Sequence, residues 1–269
     1  MRQWFLFALL AAAHAGRLAA QMPFYTDDTD VTDRGKWHFE FFNEYDGLQS
    51  SQYPDLRQNT ANLKVNYGLP HGLELDFDVP YLAIHRAPEA QSATGIGDAD
   101  MGLKWSFRKS PRPYSPSLAT SLYIEFPTGD THKQLSSGLR DYWLNFIVQE
   151  PFSDKTRATL NLGFLFAGNT STGVVGIETK RGHVYTGGLS VTHDFNPRLT
   201  LGGEIYGGVA DTSGLNKDQL QGLGGGSYTL REGFSFAFAL LGGKFAASPR
   251  IGGQVGFAVD FPDVWRRAP

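Results

Sequence analysis

Carboxylates recur at alternate positions along several stretches of this 269-residue chain. They are the side chains in it best able to do chemistry. Glu74, Asp76 and Asp78 stand two apart, as do Asp98 and Asp100, and Glu40, Glu44, Glu125 and Glu204 fall in stretches of the same kind. Lys64, Lys104 and Arg108 share these faces. Side chains two apart point the same way in an extended strand, so the charges form one face and the residues between them another. In the stretch from Leu73 to Tyr81, that second face is Leu73, Leu75, Phe77, Val79 and Tyr81. Charges turned to the inside of a membrane-embedded structure are tolerated only where they meet water or one another. Two arrangements meet that condition. In one, water fills a lumen to which the acids give a weak preference for cations. In the other, the acids pair with Lys64, Lys104 and Arg108 and plug it.

Other groups offer less. Asp27, Asp28, Asp30 and Asp33 suggest calcium, but the fixed spacing, central glycine and terminal bidentate Glu of a calcium loop are missing. The stretch reads as a solvated acidic leader. Gly95-Ile96-Gly97 and the run from Gly222 to Gly226 lack the nucleotide-binding spacing. In strands such glycines relieve crowding or permit a bend. The histidines, His14, His38, His71, His85, His132, His183 and His193, form no HExxH pair, so zinc has no support, and no cofactor is expected. Asp130, His132, Ser136, Ser137, Asp141 and His183 fall where a hydrolase at the rim of a barrel would need them. No local motif singles them out, and a catalytic site needs mutual geometry. The chain is expected not to be an enzyme.

These faces belong to twelve alternating segments between Lys36 and Phe261. The links between them are alternately long and short. DGLQSSQYPDLRQN, HRAPEAQSATGIG and PTGDTHKQLSSGLRD are long, whereas Pro70-His71-Gly72, Asn196-Pro197-Arg198 and Arg231-Glu232-Gly233 are tight turns. A soluble sandwich has no reason to sort its links so. A bacterial outer-membrane barrel does, with short turns at the periplasm and long loops outside. The fold expected is all-β, a transmembrane antiparallel up-and-down barrel of about 12 strands. Two segments fit less well: YWLNFIVQ, which puts Trp143 and Ile147 on the inner face, and the glycine-rich QLQGLGGGSYTL. Aromatic residues near segment ends, among them Trp37, Tyr45, Tyr81, Trp105, Phe107, Phe126, Phe195 and Phe261, suit a girdle at the membrane–water boundary.

The flanks agree. Arg2 followed by Trp4 to Ala13 has the form of a secretory signal peptide, residues 1–20, with cleavage after Ala15 or Ala20. Loss of Arg2 and Arg17 with it moves the formal charge from −3 to −5. Residues 21–35 form the acidic polar leader, 36–261 the barrel and 262–269 a periplasmic tail. A chain without cysteine has no disulfide framework, and its mild acidity gives no basic face for nucleic acid. The partners expected are outer-membrane lipid, the barrel-assembly machinery and a small-molecule solute.

Three stretches carry a resemblance: YTDDTDVTDRGKWHFEFFNEYD, GIGDADMGLKWSF and SLYIEFPTGD. They resemble the outer-membrane family named for the meta-pathway of phenol degradation, from about Pro23 to Phe261. Members are described as transporters, which implies passage of small molecules, apolar or aromatic ones included. No substrate residue carries over. Many such barrels end on a phenylalanine, whereas here PDVWRRAP follows Phe261. The rival is a non-conducting surface barrel (adhesin, sensor or structural protein) whose lumen is closed by ion pairs. If the lumen conducts, its outer loops and the leader from Gln21 to Arg34 are the segments placed to gate it.

Overall fold

The computed structural model describes residues 22–110, 112–167, 181–211 and 218–261. The expected signal peptide and the tail after Phe261 lie outside these. Thirteen strands form a single antiparallel sheet: β1 (Trp37–Gly47), β2 (Asp55–Gly68), β3 (Leu73–Arg86), β4 (Ala93–Ile96), β5 (Ala99–Arg108), β6 (Ser117–Phe126), β7 (Asp141–Pro151), β8 (Thr156–Ala167), β9 (Gly182–Asn196), β10 (Leu199–Ala210), β11 (Gln219–Arg231), β12 (Phe234–Lys244) and β13 (Ile251–Phe261). β1 pairs with β13 from Trp37 opposite Phe261 to Gly47 opposite Ile251, and β2 pairs with β3, so the sheet closes. β4 and β5 both pair with β3 and occupy one place in the wall. The barrel therefore has twelve staves.

That division of the fourth stave has a local cause. β3 pairs with β5 as far as Asp78 opposite Asp100, and with β4 from Tyr81 opposite Ile96. Pro80 lies between and has no N–H to give the ladder. The segment His85–Gly97, expected as a loop, thus contains the outer end of β3 and all of β4. β2 likewise starts at Asp55, within the segment read as a link. β11 forms throughout its glycine run. Glycine is required there, because a Cβ on Gly226 would lie 2.0 Å from the carbonyl oxygen of Thr200.

Alternation sorts the two faces. Phe41, Leu63, Phe77, Leu144, Ile205 and Leu240 are exposed on the outside, forming the apolar band that hydrocarbon covers. At the end where β1 begins and β13 finishes, Trp37 packs at a tilt on Tyr67 at 4.6 Å and Phe39 meets Phe261 edge-on at 5.1 Å. Links at that end are as short as the two residues 197–198 and 232–233, whereas segments such as 48–54 and 127–140 join strands at the other. The first is the periplasmic end and the second the outer one. The interior is polar, with small apolar clusters such as Leu82, Ile84, Ala93 and Leu135.

Candidate functional site

The lumen holds the leader. Residues 22–36 run from its middle to the periplasmic mouth, and the wall takes up their polar groups one after another. The N–H of Tyr25 donates to Glu204 Oε1 at 3.1 Å, and that of Thr26 to Glu204 Oε2 at 2.5 Å. The hydroxyl of Tyr25 donates to Glu44. Asp27 is held twice by Asn161, its N–H donating at 2.8 Å and its carbonyl accepting at 2.7 Å. Farther down, the N–H of Thr32 donates to Glu74 Oε2 at 2.5 Å. The leader leaves beside β2, where the N–H of Gly35 donates to the carbonyl of Gly68 at 2.8 Å. A Cβ on Gly68 would come within 2.1 Å of the Asp33 carbonyl, so only glycine admits this approach. At the mouth, the Asp33 carboxylate hydrogen-bonded to Lys36 at 2.8 Å holds that ammonium above its ordinary range.

The sequence suggested a solvated acidic leader; Asp33 is exposed at the mouth, but Asp27 and Asp28 are turned into the lumen. Lys104, fully buried on β5, reaches Asp27 at 2.7 Å and Asp28 at 3.3 Å, and Lys109 reaches Asp30 at 3.5 Å. Taking Asp27 and Asp28 out of water is offset by the buried ammonium of Lys104, whereas the Lys109–Asp30 pair is half exposed. Apolar side chains seat the upper leader. Met22 packs with Ala237, Ala258 and Phe42, and Phe24 and Tyr25 pack on Leu223, Ala239 and Leu241.

Above the leader the wall carries a row of charges in one register. Glu40 stands opposite Lys64, Lys64 opposite Asp78, Asp78 opposite Asp100, Asp100 opposite Glu125 and Glu125 opposite Asp141. His38 Nε2 lies 3.1 Å from Glu40, and Arg181 reaches Asp141 at 3.3 Å. Asp76 accepts from the Tyr123 hydroxyl at 2.9 Å. Glu74 and Glu204 face the leader, as described. Arg108 differs from the others. The register shifts between Ser106 and Arg108, leaving it exposed at the periplasmic rim with its guanidinium on Ser115 at 3.2 Å. It joins neither the row nor the leader.

Asp98 fastens a loop over the row. Its carboxylate accepts from the N–H of Gly129 at 3.0 Å and, more weakly, of Ser137 at 3.4 Å. The loop 127–140 thereby turns Leu135 inward onto Leu82 and Ile84. Arg86 ties the same loop down from β3, reaching Gln134 Oε1 at 2.7 Å. Replacing Asp98 with alanine is expected to weaken this docking by about 1.5–3 kcal/mol, the value of a hydrogen bond to a charged group. Trypsin should then cut at Lys133 or Arg140 much faster than in the parent protein, while an unchanged digestion rate would show that Arg86 alone holds the loop.

Between leader and loop lies a cavity of ≈ 240 Å³, lined by acids of the row, by Asp98 and by Tyr25, Phe42, Tyr123 and Trp143. The sequence offered no sign of Leu135 or of the aromatic residues of the leader as lining. Of the residues considered for a hydrolase, Asp141 belongs to the row, and three others make contacts within the loops or at the end of a strand. Asp130 accepts from the N–H of His132 at 2.9 Å, Ser137 Oγ donates to the Leu139 carbonyl at 3.4 Å, and His183 stands 3.5 Å from Asp211.

Among solved structures, the fold is similar to the COG4313 outer membrane channel from Pseudomonas putida F1. The TM-score is 0.69 at 14% identity, over 87% of this chain and 98% of that one. It is similar also to the NanC porin, with TM-score 0.58 and 9% identity over 82% of this chain and 98% of that one. The KdgM porin in complex with disordered oligogalacturonate gives 0.56 and 12%, over 84% and 99%. At these identities the likeness is one of fold, a closed outer-membrane barrel. No curated protein matches the sequence. Residues 62–261, well over half the chain, match the family described as the MetA-pathway of phenol degradation, and the chain belongs to that family.

Proposed function

We propose that this protein is a passive channel through which small molecules, apolar and aromatic ones among them, cross the outer membrane. One observation carries the reading: a separable segment, the leader, lies across the lumen and is held there by the wall. Lys104 pairs with Asp27 and Asp28 of the leader. A barrel built only as a surface scaffold needs no removable filling. Twelve strands lie between the eight that side chains fill and the sixteen or more that leave an open pore, so clearing the lumen leaves a narrow passage. Membership of the family and the resemblance in fold to channels and porins support the same reading. The name of the family and the aromatic lining of the cavity support the aromatic part of it.

The test is swelling of liposomes carrying folded protein, with and without residues 22–34, in arabinose and in the larger raffinose. Arabinose is expected to enter slowly through the whole protein and fast through the shortened one, with raffinose held back in both. Swelling no faster than that of empty liposomes for both proteins would overturn the reading in favour of a non-conducting barrel.

A further inference from the structure

Asp78, Asp100, Glu125 and Asp141 stand directly opposite one another across β3, β5, β6 and β7. Like charges placed opposite each other across a ladder destabilise a sheet, and a weak preference for cations needs no such packing. Lys64, which also lines the cavity, stands beside Asp78 at one end of these four acids, and Arg181 reaches Asp141 at the other, so four acids face two cations. A second observation concerns other residues. Asn62, Asn145 and Gln254 line the same cavity and are more than nine-tenths buried. Their amide oxygens accept from no donor of the protein. Buried acceptors are costly to leave without a donor, so three around one cavity point to a ligand rich in N–H groups.

The kind of cation follows from the geometry. Among the described residues no three His, Asp or Glu side chains are placed to hold a metal ion. The acids are strung along the wall rather than gathered about a point. Tyr25, Phe42, Tyr123 and Trp143 also line the cavity, and aromatic faces attract ammonium groups and stack on rings. The cavity, ≈ 240 Å³, is smaller than the ~300–1,000 Å³ of sites for drug-sized molecules. It suits one ring with a short side chain.

We propose that this cavity is a binding site for a small aromatic amine, a primary ammonium group carried on a single ring. The three N–H groups of the ammonium meet Asp100, Glu125 and one of the amide oxygens, and the ring lies against Tyr123 and Trp143. The proposal rests on the channel reading only for the route by which the ligand arrives. Binding is therefore measured at equilibrium, apart from flux.

The experiment is calorimetric titration of the whole folded protein in detergent with 2-phenylethylammonium, 2-phenylethanol and phenylacetate. Saturable binding of the ammonium is expected, with the alcohol at least about tenfold weaker and the carboxylate not bound. Asp100→Asn and Glu125→Gln should each weaken the ammonium at least about tenfold and leave the alcohol unchanged. Both variants remove a like-charge contact, so the heat-induced shift of the folded barrel on gels should be kept. If only one of them folds, that one carries the test. Equal affinity for alcohol and ammonium, no saturable binding, or an unchanged constant in a folded variant would each overturn the proposal. A barrel that swells liposomes yet fails to bind sinks this inference alone, and one that binds without swelling sinks the channel reading alone.

Discussion

Removing residues 22–34 is expected to raise single-channel conductance several-fold in planar bilayers and to lengthen the open periods. The leader meets Glu204 on β10, Asn161 on β8, Lys104 on β5 and Glu74 on β3, and so lies across the lumen rather than along one wall. A covalent lock separates blocking from mere destabilisation. A Cβ built on Gly188 lies 3.5 Å from that of Thr26, within the ~3.5–4.5 Å spacing of disulfides. The chain has no cysteine, so an engineered pair cannot mispair. The double variant Thr26→Cys, Gly188→Cys requires the Tyr206 ring to move, because that ring would lie 2.8 Å from the new Cβ. Oxidised, it should hold conductance at its lowest level, and reduction should restore the behaviour of the parent. Equal conductance in the deleted, oxidised and parent proteins would show that ions pass beside the leader.

Replacing Lys104 with methionine is expected to release the leader. The ammonium is fully buried against two leader carboxylates, and removing one partner of a buried pair costs about 3–5 kcal/mol because the other charge is stranded. The wall is held by its own ladders and does not need the leader to stay closed. The cheaper relief is therefore for Asp27 and Asp28 to return to water. Trypsin should then cut at Arg34 and Lys36 at least about tenfold faster, and conductance should approach that of the deleted form. Adding Asp27→Asn and Asp28→Asn to the methionine variant should recover part of the protection, since no stranded charge remains. Protection equal to that of the parent in the single variant would make the hydrogen bonds of Glu204 and Asn161 the main anchor.

The strands were legible because one physical demand, apolar outside and polar inside, recurs at every second residue for the whole wall. YWLNFIVQ looked irregular, and its two inward apolar residues prove useful: Ile147 is buried and Trp143 lines the cavity. What pattern does not encode is register. Asp78, Asp100 and Glu125 can each be assigned to the inside from local alternation, but their standing side by side depends on where each hairpin turns. Arg108 was assigned inside by the same alternation, and a shift of register after Ser106 removed it. Pro80 gave a usable sign of the break between β4 and β5, since a proline in a central strand withholds a donor. The leader was hardest to place. A run of aspartates reads as solvated unless one knows that buried Lys104 on a distant strand awaits two of them.

The leader is joined to β1 at Lys36, in the periplasmic mouth itself. Once out of the lumen it cannot diffuse away. A flexible segment of this length keeps its far end within roughly 20 Å of the mouth on average. Its effective concentration there is on the order of millimolar, whatever the amount of protein in the membrane. A molecule entering from the periplasmic side competes with that concentration, whereas one arriving through the outer loops reaches the cavity above the leader first. A tube with a tethered occupant at one mouth thus has unlike ends: at equal concentrations on the two sides the two one-way fluxes stay equal, but the step that limits entry is displacement of the leader at one mouth and passage of the loops at the other.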